Sequence, residues 1–180
     1  GDSSGDENQR CININGAQAR DYWIDKVTFD HDQQANGVAY GETINIFAFP
    51  TAANAPGDGT VSRCYFLGKT SGGVETKALT IAAKNDLPYP AAINIRVTVF
   101  QCVFEAWQRQ AIQRQGAKVH YINCIYPEKN RIYGIGVTSG SEAVIEGCVF
   151  YGSTQSNRWE VNANASGESV DNTARIYVPT

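Results

Sequence analysis

A five-residue pattern recurs along the chain: two variable residues, a small apolar residue that is usually Cys, a residue that is usually apolar, and an aromatic. It spans residues 25–29, 62–66, 100–104, 122–126 and 146–150, reading DKVTF, SRCYF, FQCVF, INCIY and EGCVF. Cys102, Cys124 and Cys148 follow one another at nearly equal intervals. A fixed period of roughly 20 residues is the signature of one supersecondary unit stacked on its neighbours, because a single unit is too small to bury its own apolar face. The pattern therefore predicts an all-β solenoid, a ladder of coils in which each position of the repeat forms a column. The interior of such a ladder is shared packing, so function must sit on side chains that point outward from stacked strands.

Four of the five cysteines occupy the same position of the repeat. Strands of neighbouring coils lie about 4.8 Å apart, which makes these side chains a column. Buried thiols behaving as small hydrophobes are the expected state, with a disulfide between adjacent coils as the alternative at that spacing. With an odd count, at least one thiol has no internal disulfide partner. A single column does not supply the tetrahedron that zinc requires.

At 180 residues the chain is expected to form one domain with a core of its own. Residues 1–9 (GDSSGDENQ) are polar and aperiodic, and read as a frayed N-terminus. Coils are expected over 10–152. Short runs rich in β-branched and aromatic residues, bounded by Gly, Asn and Pro, predict strands at Cys11–Asn15, Tyr22–Phe29, Thr43–Phe47, Ala78–Ala82, Ile95–Phe100, Val119–Ile122 and Ala143–Ile145. Apolar spacing of three and four never persists, so no long helix is expected. The intervals from Val27 to Cys64 and from Cys64 to Cys102 are longer than the later ones by more than half, and they hold turn-rich insertions at Pro50–Thr60 and Lys84–Pro90. Insertions in solenoids emerge as loops and often build a binding face. Residues 153–180 lose the period and read as a covering C-terminal tail. They include an N-glycosylation triplet at Asn164-Ala165-Ser166.

A net charge of −3 and a pI near 5.4 argue against a nucleic-acid surface, which needs a basic excess. No run approaches the roughly 18 apolar residues of a membrane span. The chain contains no Met, so a mature or excised segment is expected. Only two His are present, His31 and His120, and neither stands beside a Ser or Cys it would activate. Metalloprotease, P-loop and dinucleotide-binding motifs are absent from the sequence. The polar cluster that stands out is Gln108–Gly116 (QRQAIQRQG), with Arg109 and Arg114 inside it. Two guanidinium groups on consecutive turns of one coil can fork around the carboxylates of an acidic polymer; solvated surface arginines are the plainer alternative.

Several of these segments resemble, in order, those of the pectate and pectin lyase superfamily. Residues 22–29 (YWIDKVTF) resemble its WIDHVTF strand, and Gln108–Asn123 its QRxPxxRxG and VHxxNN stretch. Tyr133–Gly136 through Glu146–Phe150 is similar to the IG and VLAEGNVF coil that follows. The resemblance covers roughly residues 10–152. It implies a right-handed, single-stranded parallel β-helix that is secreted and cleaves polygalacturonate by β-elimination. That reaction removes the proton at C5, beside a carboxylate, and expels the oxygen at C4. It needs a base beside that proton and positive charge on the carboxylate. The resemblance assigns Arg109 as catalytic base, Lys77 (of KALTIA) as the catalytic cation on the carboxylate, and Arg114 as a substrate-binding arginine.

The departures carry expectations too. Lys26 replaces the His of WIDH, and Ala111 replaces the Pro between the two arginines. The family's calcium ligands fall near Arg10 and on Asn36 and Tyr40, where hard carboxylate oxygens are missing. No metal or other cofactor is therefore expected, and Arg10 is expected to supply the calcium's charge to the substrate. The family's further coils before the WIDH strand have no counterpart here. That leaves either missing N-terminal coils or end-to-end assembly with a second copy. Against the lyase stands a non-catalytic β-helix that is structural, self-assembling or glycan-binding. A hydrolase on the same fold is a weaker third expectation, since it needs paired carboxylates.

Overall fold

The structure, a computed structural model, describes residues 12–15, 21–30, 40–48, 58–67, 75–83, 95–105, 109–114, 117–127, 133–137, 141–151, 159–163 and 175–179. Every regular element among the described residues is a strand, and the strands come in triplets. The first triplet is β1 (Ile12–Asn15), β2 (Tyr22–Asp25) and β3 (Thr28–Asp30). The second is β4 (Tyr40–Ala48), β5 (Asp58–Ser62) and β6 (Tyr65–Leu67), and the third β7 (Glu75–Ala83), β8 (Ile95–Phe100) and β9 (Val103–Glu105). Then follow β10 (Arg109–Arg114), β11 (Ala117–Ile122) and β12 (Ile125–Tyr126), and β13 (Tyr133–Val137), β14 (Glu142–Glu146) and β15 (Val149–Phe150). Last come β16 (Trp159–Ala163) and β17 (Arg175–Tyr177).

Each strand pairs in parallel with the strand three places on, which produces three parallel sheets. Sheet A is β1-β4-β7-β10-β13-β16, sheet B is β2-β5-β8-β11-β14-β17, and sheet C is β3-β6-β9-β12-β15. Among the described residues, β1, β2 and β3 are the sheet edges at one end. The all-β class and the parallel stacking of repeats follow from the sequence pattern.

Alternation sets the faces. In β11, Ala117, Val119 and Tyr121 are buried while Lys118, His120 and Ile122 are half-exposed. Register then turns each buried position into a column. Ile24, Val61, Val99, Tyr121 and Ile145 align across sheet B. In sheet C the aromatic of the repeat makes a continuous stack of Phe29, Phe66, Phe104, Tyr126 and Phe150. Its successive ring centroids are 5.0, 4.7, 5.0 and 4.6 Å apart, and no pair of planes is more than 14° from parallel.

The variable second residue of the repeat is the corner between sheets B and C. Lys26, Arg63, Gln101 and Asn123 hold φ between 51° and 56°, and Gly147 holds 59°. This left-handed conformation costs a non-glycine residue roughly 1–2 kcal/mol. The backbone offsets that cost with hydrogen bonds: the N–H of each of the four donates to the last sheet B carbonyl of the next triplet, at 2.8–3.0 Å. The segment 22–29, expected as one strand, is therefore two, broken at Lys26. That is also the position where the resemblance loses its His.

The cysteine follows the corner. Cys64, Cys102, Cys124 and Cys148 are free thiols, so among them the inter-coil disulfide does not form. Each donates to the carbonyl two residues back and to one in the preceding triplet, at 3.2–3.8 Å. Hydrogen bonding to Cys102 and burial both push Cys64 and Cys124 up, away from thiolate chemistry.

Two boundaries differ from expectation. Residues 58–60, read as part of an insertion, open β5, where Gly59 leaves room for the Tyr22 ring of the neighbouring strand; a Cβ at Gly59 would lie 1.9 Å from that ring. The segment 153–180, read as a covering tail, instead supplies β16 and β17, which extend sheets A and B. Its five-residue pattern is missing because no sheet C strand follows β17 among the described residues. Residues 1–9, the insertion core 51–57, Lys84–Pro90 and Asn164–Ser166 lie outside the described residues.

Candidate functional site

Sheet A brings two of the expected site residues together. Arg109, first residue of β10, is in direct register with Lys77 of β7, so two residues from different triplets stand one strand spacing from each other, about 4.8 Å. Glu42 of β4 pairs with Lys77 on the other side, and Tyr133 and Trp159 continue the column beyond Arg109. Lys77 is the third residue of β7 and precedes the fully buried Leu79 by two positions, so its position shares Leu79's face of the strand. Arg114 is not part of this pair. It closes the same strand, beside Ala82, about 16 Å along at roughly 3.3 Å per residue. The two arginines thus belong to one strand and not to consecutive turns. Tyr40 opens β4 in register with Glu75; Arg10 and Asn36 lie outside the described residues. Among the described residues, no three His, Cys, Asp or Glu side chains are grouped to hold a metal.

The outer face of sheet B carries a second constellation. Its central lane runs Trp23, Thr60, Thr98, His120, Val144 and Tyr177 across six strands. The lane beside it runs Asp58, Arg96, Lys118, Glu142 and Arg175. Two hollows open along these lanes. One, of about 400 Å³, is lined by Asp21, Tyr22, Trp23, Gly59, Thr60, Arg96 and Thr98. The other, of about 280 Å³, is lined by Arg96, Thr98, Lys118, His120, Glu142 and Val144 with the Val97 and Val119 positions between them. They share Arg96 and Thr98 and so adjoin; the two together are termed the trough.

The trough's aromatic end is fixed by polar contacts. Trp23 is 69% exposed, yet its indole N–H donates to Ser62 Oγ at 2.8 Å. Ser62 Oγ–H in turn donates to Asp25 Oδ1 at 2.6 Å. Arg63 forks onto the same carboxylate, Nε to Oδ1 at 2.8 Å and a terminal nitrogen to Oδ2 at 2.6 Å. The Arg63 fork and the Ser62 hydroxyl hold the Asp25 carboxyl below the usual carboxylate value, and the same fork raises Arg63. At the other end, Lys118 reaches Glu142 at 3.7 Å, and His120 Nε2 lies 3.0 Å from Glu146.

Both constellations set like charges in direct register, Lys77 with Arg109 and Arg96 with Lys118. Directly opposed like charges destabilise a sheet; in the same lanes each pair also has carboxylate residues in register beside it, Glu42 next to Lys77, and Asp58 and Glu142 next to Arg96 and Lys118. Sheet B's constellation was not singled out from the sequence, though its signal is there: Arg96 to Lys118 and Thr98 to His120 repeat at the same interval as Cys102 to Cys124. No protein-family profile, curated protein or solved structure shows a significant match to the chain.

Proposed function

We propose that the chain is a secreted polysaccharide lyase that cleaves pectin or polygalacturonate by β-elimination, without a primary calcium ion, on a closed right-handed parallel β-helix. The carrying observation is the direct register of Lys77 and Arg109, since the resemblance assigns cation and base to these two residues independently of the sheet pairing. The cyclic order of the three parallel sheets supports the closed helix, and parallel crossovers are right-handed in about 98% of cases. In this mechanism Lys77 lies on the uronate carboxylate and draws off the charge that builds when C5 loses its proton. Arg109, the base that the resemblance assigns, takes that proton. The C5–H electron pair becomes the C4–C5 double bond, the bond from C4 to its oxygen breaks, that oxygen takes a proton from water, and Arg109 returns the C5 proton to solvent. Arg114 and Arg10 hold neighbouring uronates.

The test is incubation with polygalacturonate and with methylated pectin, with and without chelator, following absorbance of the unsaturated product. Chelator-resistant product that disappears in Arg109→Ala and in Lys77→Ala is the expected result. Absence of product from both polymers would refute the lyase. A second reading then stands, a non-catalytic β-helix that binds glycan or stacks end to end. It is favoured by Glu42, whose register beside Lys77 sets opposite charges next to each other in the column.

A further inference from the structure

The sheet B trough has the features of an extended-polymer site that chemistry on sheet A does not require. A Trp left 69% exposed has most of its apolar surface in water, and nothing in packing asks for it there. Its edge is tied down all the same, through Ser62 to an Asp25 carboxylate that Arg63 grips with two hydrogen bonds. The ring is therefore held still with a face open, and an ordered platform loses little freedom when a ligand lands on it. One strand on begins a run of hydroxyls, Thr60 and Thr98, and then the His120 imidazole. Beside them Arg96 and Lys118 stand in direct register. Glu142 engages Lys118 at 3.7 Å, whereas Arg96 is exposed, with Asp58 in register on its other side. Repulsion between the two cations is relieved by an anion between them.

We propose that this trough binds an extended, carboxylate-bearing glycan laid across the strands, with Trp23 against the face of one sugar ring and Arg96 and Lys118 on a carboxylate farther along. Pyranose rings offer the required chemistry at each step. Their axial C–H groups are positively polarised and suit the negative face of an indole. Their hydroxyls pair with Thr60, Thr98 and His120, and a uronate carboxylate accepts from a guanidinium fork. An extended chain of such rings advances per ring by about one strand spacing, so successive sugars meet successive strands. From β2 to β14 the trough crosses four spacings, about 19 Å at 4.8 Å each, enough for several rings. The polymer class is taken from the proposed lyase function, but the site lies on another sheet and uses none of the lyase residues.

The experiment uses the full chain carrying Arg109→Ala, so that a bound oligomer is not cleaved, with oligogalacturonate and its methyl ester as probes. Binding is read by calorimetry and by intrinsic Trp fluorescence. The expected result is that Trp23→Ala weakens oligogalacturonate binding about tenfold and removes most of the fluorescence change. Trp23→Phe, which keeps a ring, removes the fluorescence change and retains most of the affinity. Arg96→Ala weakens oligogalacturonate binding and reduces its salt dependence, and leaves the ester unaffected. Both positions are exposed, so unchanged melting temperatures are the control for folding. The proposal is overturned if the parent does not bind oligogalacturonate, if it binds the uncharged ester equally well, or if Trp23→Ala and Arg96→Ala bind as the parent does. Failure of the lyase is read separately, from product formation by the chain with Arg109 intact.

Discussion

Replacing one ring in the sheet C stack should cost stability in proportion to the number of ring neighbours it loses. Phe104 is fully buried, with Phe66 at 4.7 Å and Tyr126 at 5.0 Å, both planes within 4° of its own. Phe104→Ala leaves a ring-sized void and should cost about 3–5 kcal/mol. Phe104→Leu keeps much of the volume and forfeits two ring contacts worth about 0.5–1.5 kcal/mol each, so about 1–3 kcal/mol. Phe150 stands at the end of the stack, half-buried, with Tyr126 at 4.6 Å as its one ring partner in the column. Phe150→Leu should therefore cost about 0.5–1.5 kcal/mol, roughly half the central value. Urea unfolding followed by circular dichroism gives both differences from the shift in midpoint at constant slope, with Trp fluorescence checking that one transition is observed. Stability in a stacked repeat sums over nearest-neighbour terms. Equal costs at positions 104 and 150, or a larger cost at 150, would refute the idea that ring-on-ring contact holds the triplets together.

The Asp25 carboxyl, held below its ordinary value of 3.8 by Arg63 and Ser62, contributes stability that is present above that value and is lost as pH falls through its lowered folded value. Melting temperature should therefore drop on acidification more steeply in the native chain than in Asp25→Asn; parallel profiles would show that the network adds nothing. Tyr121 is fully buried in the sheet B column, and its hydroxyl has no hydrogen-bond partner among the described residues. Tyr121→Phe should raise stability by about 1 kcal/mol in urea unfolding, because it removes a buried polar group that has lost its water, and a loss of stability would mean that the hydroxyl is satisfied.

What could be read from the sequence was whatever repeats in register. The Cys and aromatic positions of the pattern became columns because a period near that of one triplet stacks like on like. The corner was harder to foresee. Lys26, Arg63 and Gln101 are not residues that usually mark a left-handed conformation, and only Asn123 and Gly147 carry the ordinary signal. What specifies the bend at Lys26, Arg63, Gln101 and Asn123 is the hydrogen bond from the corner N–H to the next triplet, a long-range cause that no local window contains. The C-terminal strands escaped notice for a related reason: the pattern that marks a triplet sits in sheet C, and β16 and β17 join sheets A and B. On the site, the sequence resemblance named Lys77 and Arg109, and pairing places their backbones side by side. It did not indicate that Arg114 would close the same strand. The Arg96–Lys118 pair is legible in the same period, because outward residues obey it as the inward ones do.

Both like-charge pairs bridge the same seam, between the third and fourth triplets: Lys77 to Arg109 on sheet A, Arg96 to Lys118 on sheet B. That seam is where the repeat is shortest, between Cys102 and Cys124. It is also crossed by fully or almost fully buried pairs, Val97 with Val119, Val99 with Tyr121 and Phe104 with Tyr126, and by the two thiols. Each large apolar side chain buried there stabilises by about 1.5–3 kcal/mol, whereas a like-charge pair across strands costs a fraction of a kcal/mol to about one. The interior can thus carry two unfavourable pairs without loosening. Positions that break local preference on a well-packed support are where function is to be sought, and here there are two, on two sheets, each flanked in register by carboxylate residues: Glu42 beside Lys77, and Asp58 and Glu142 beside Arg96 and Lys118.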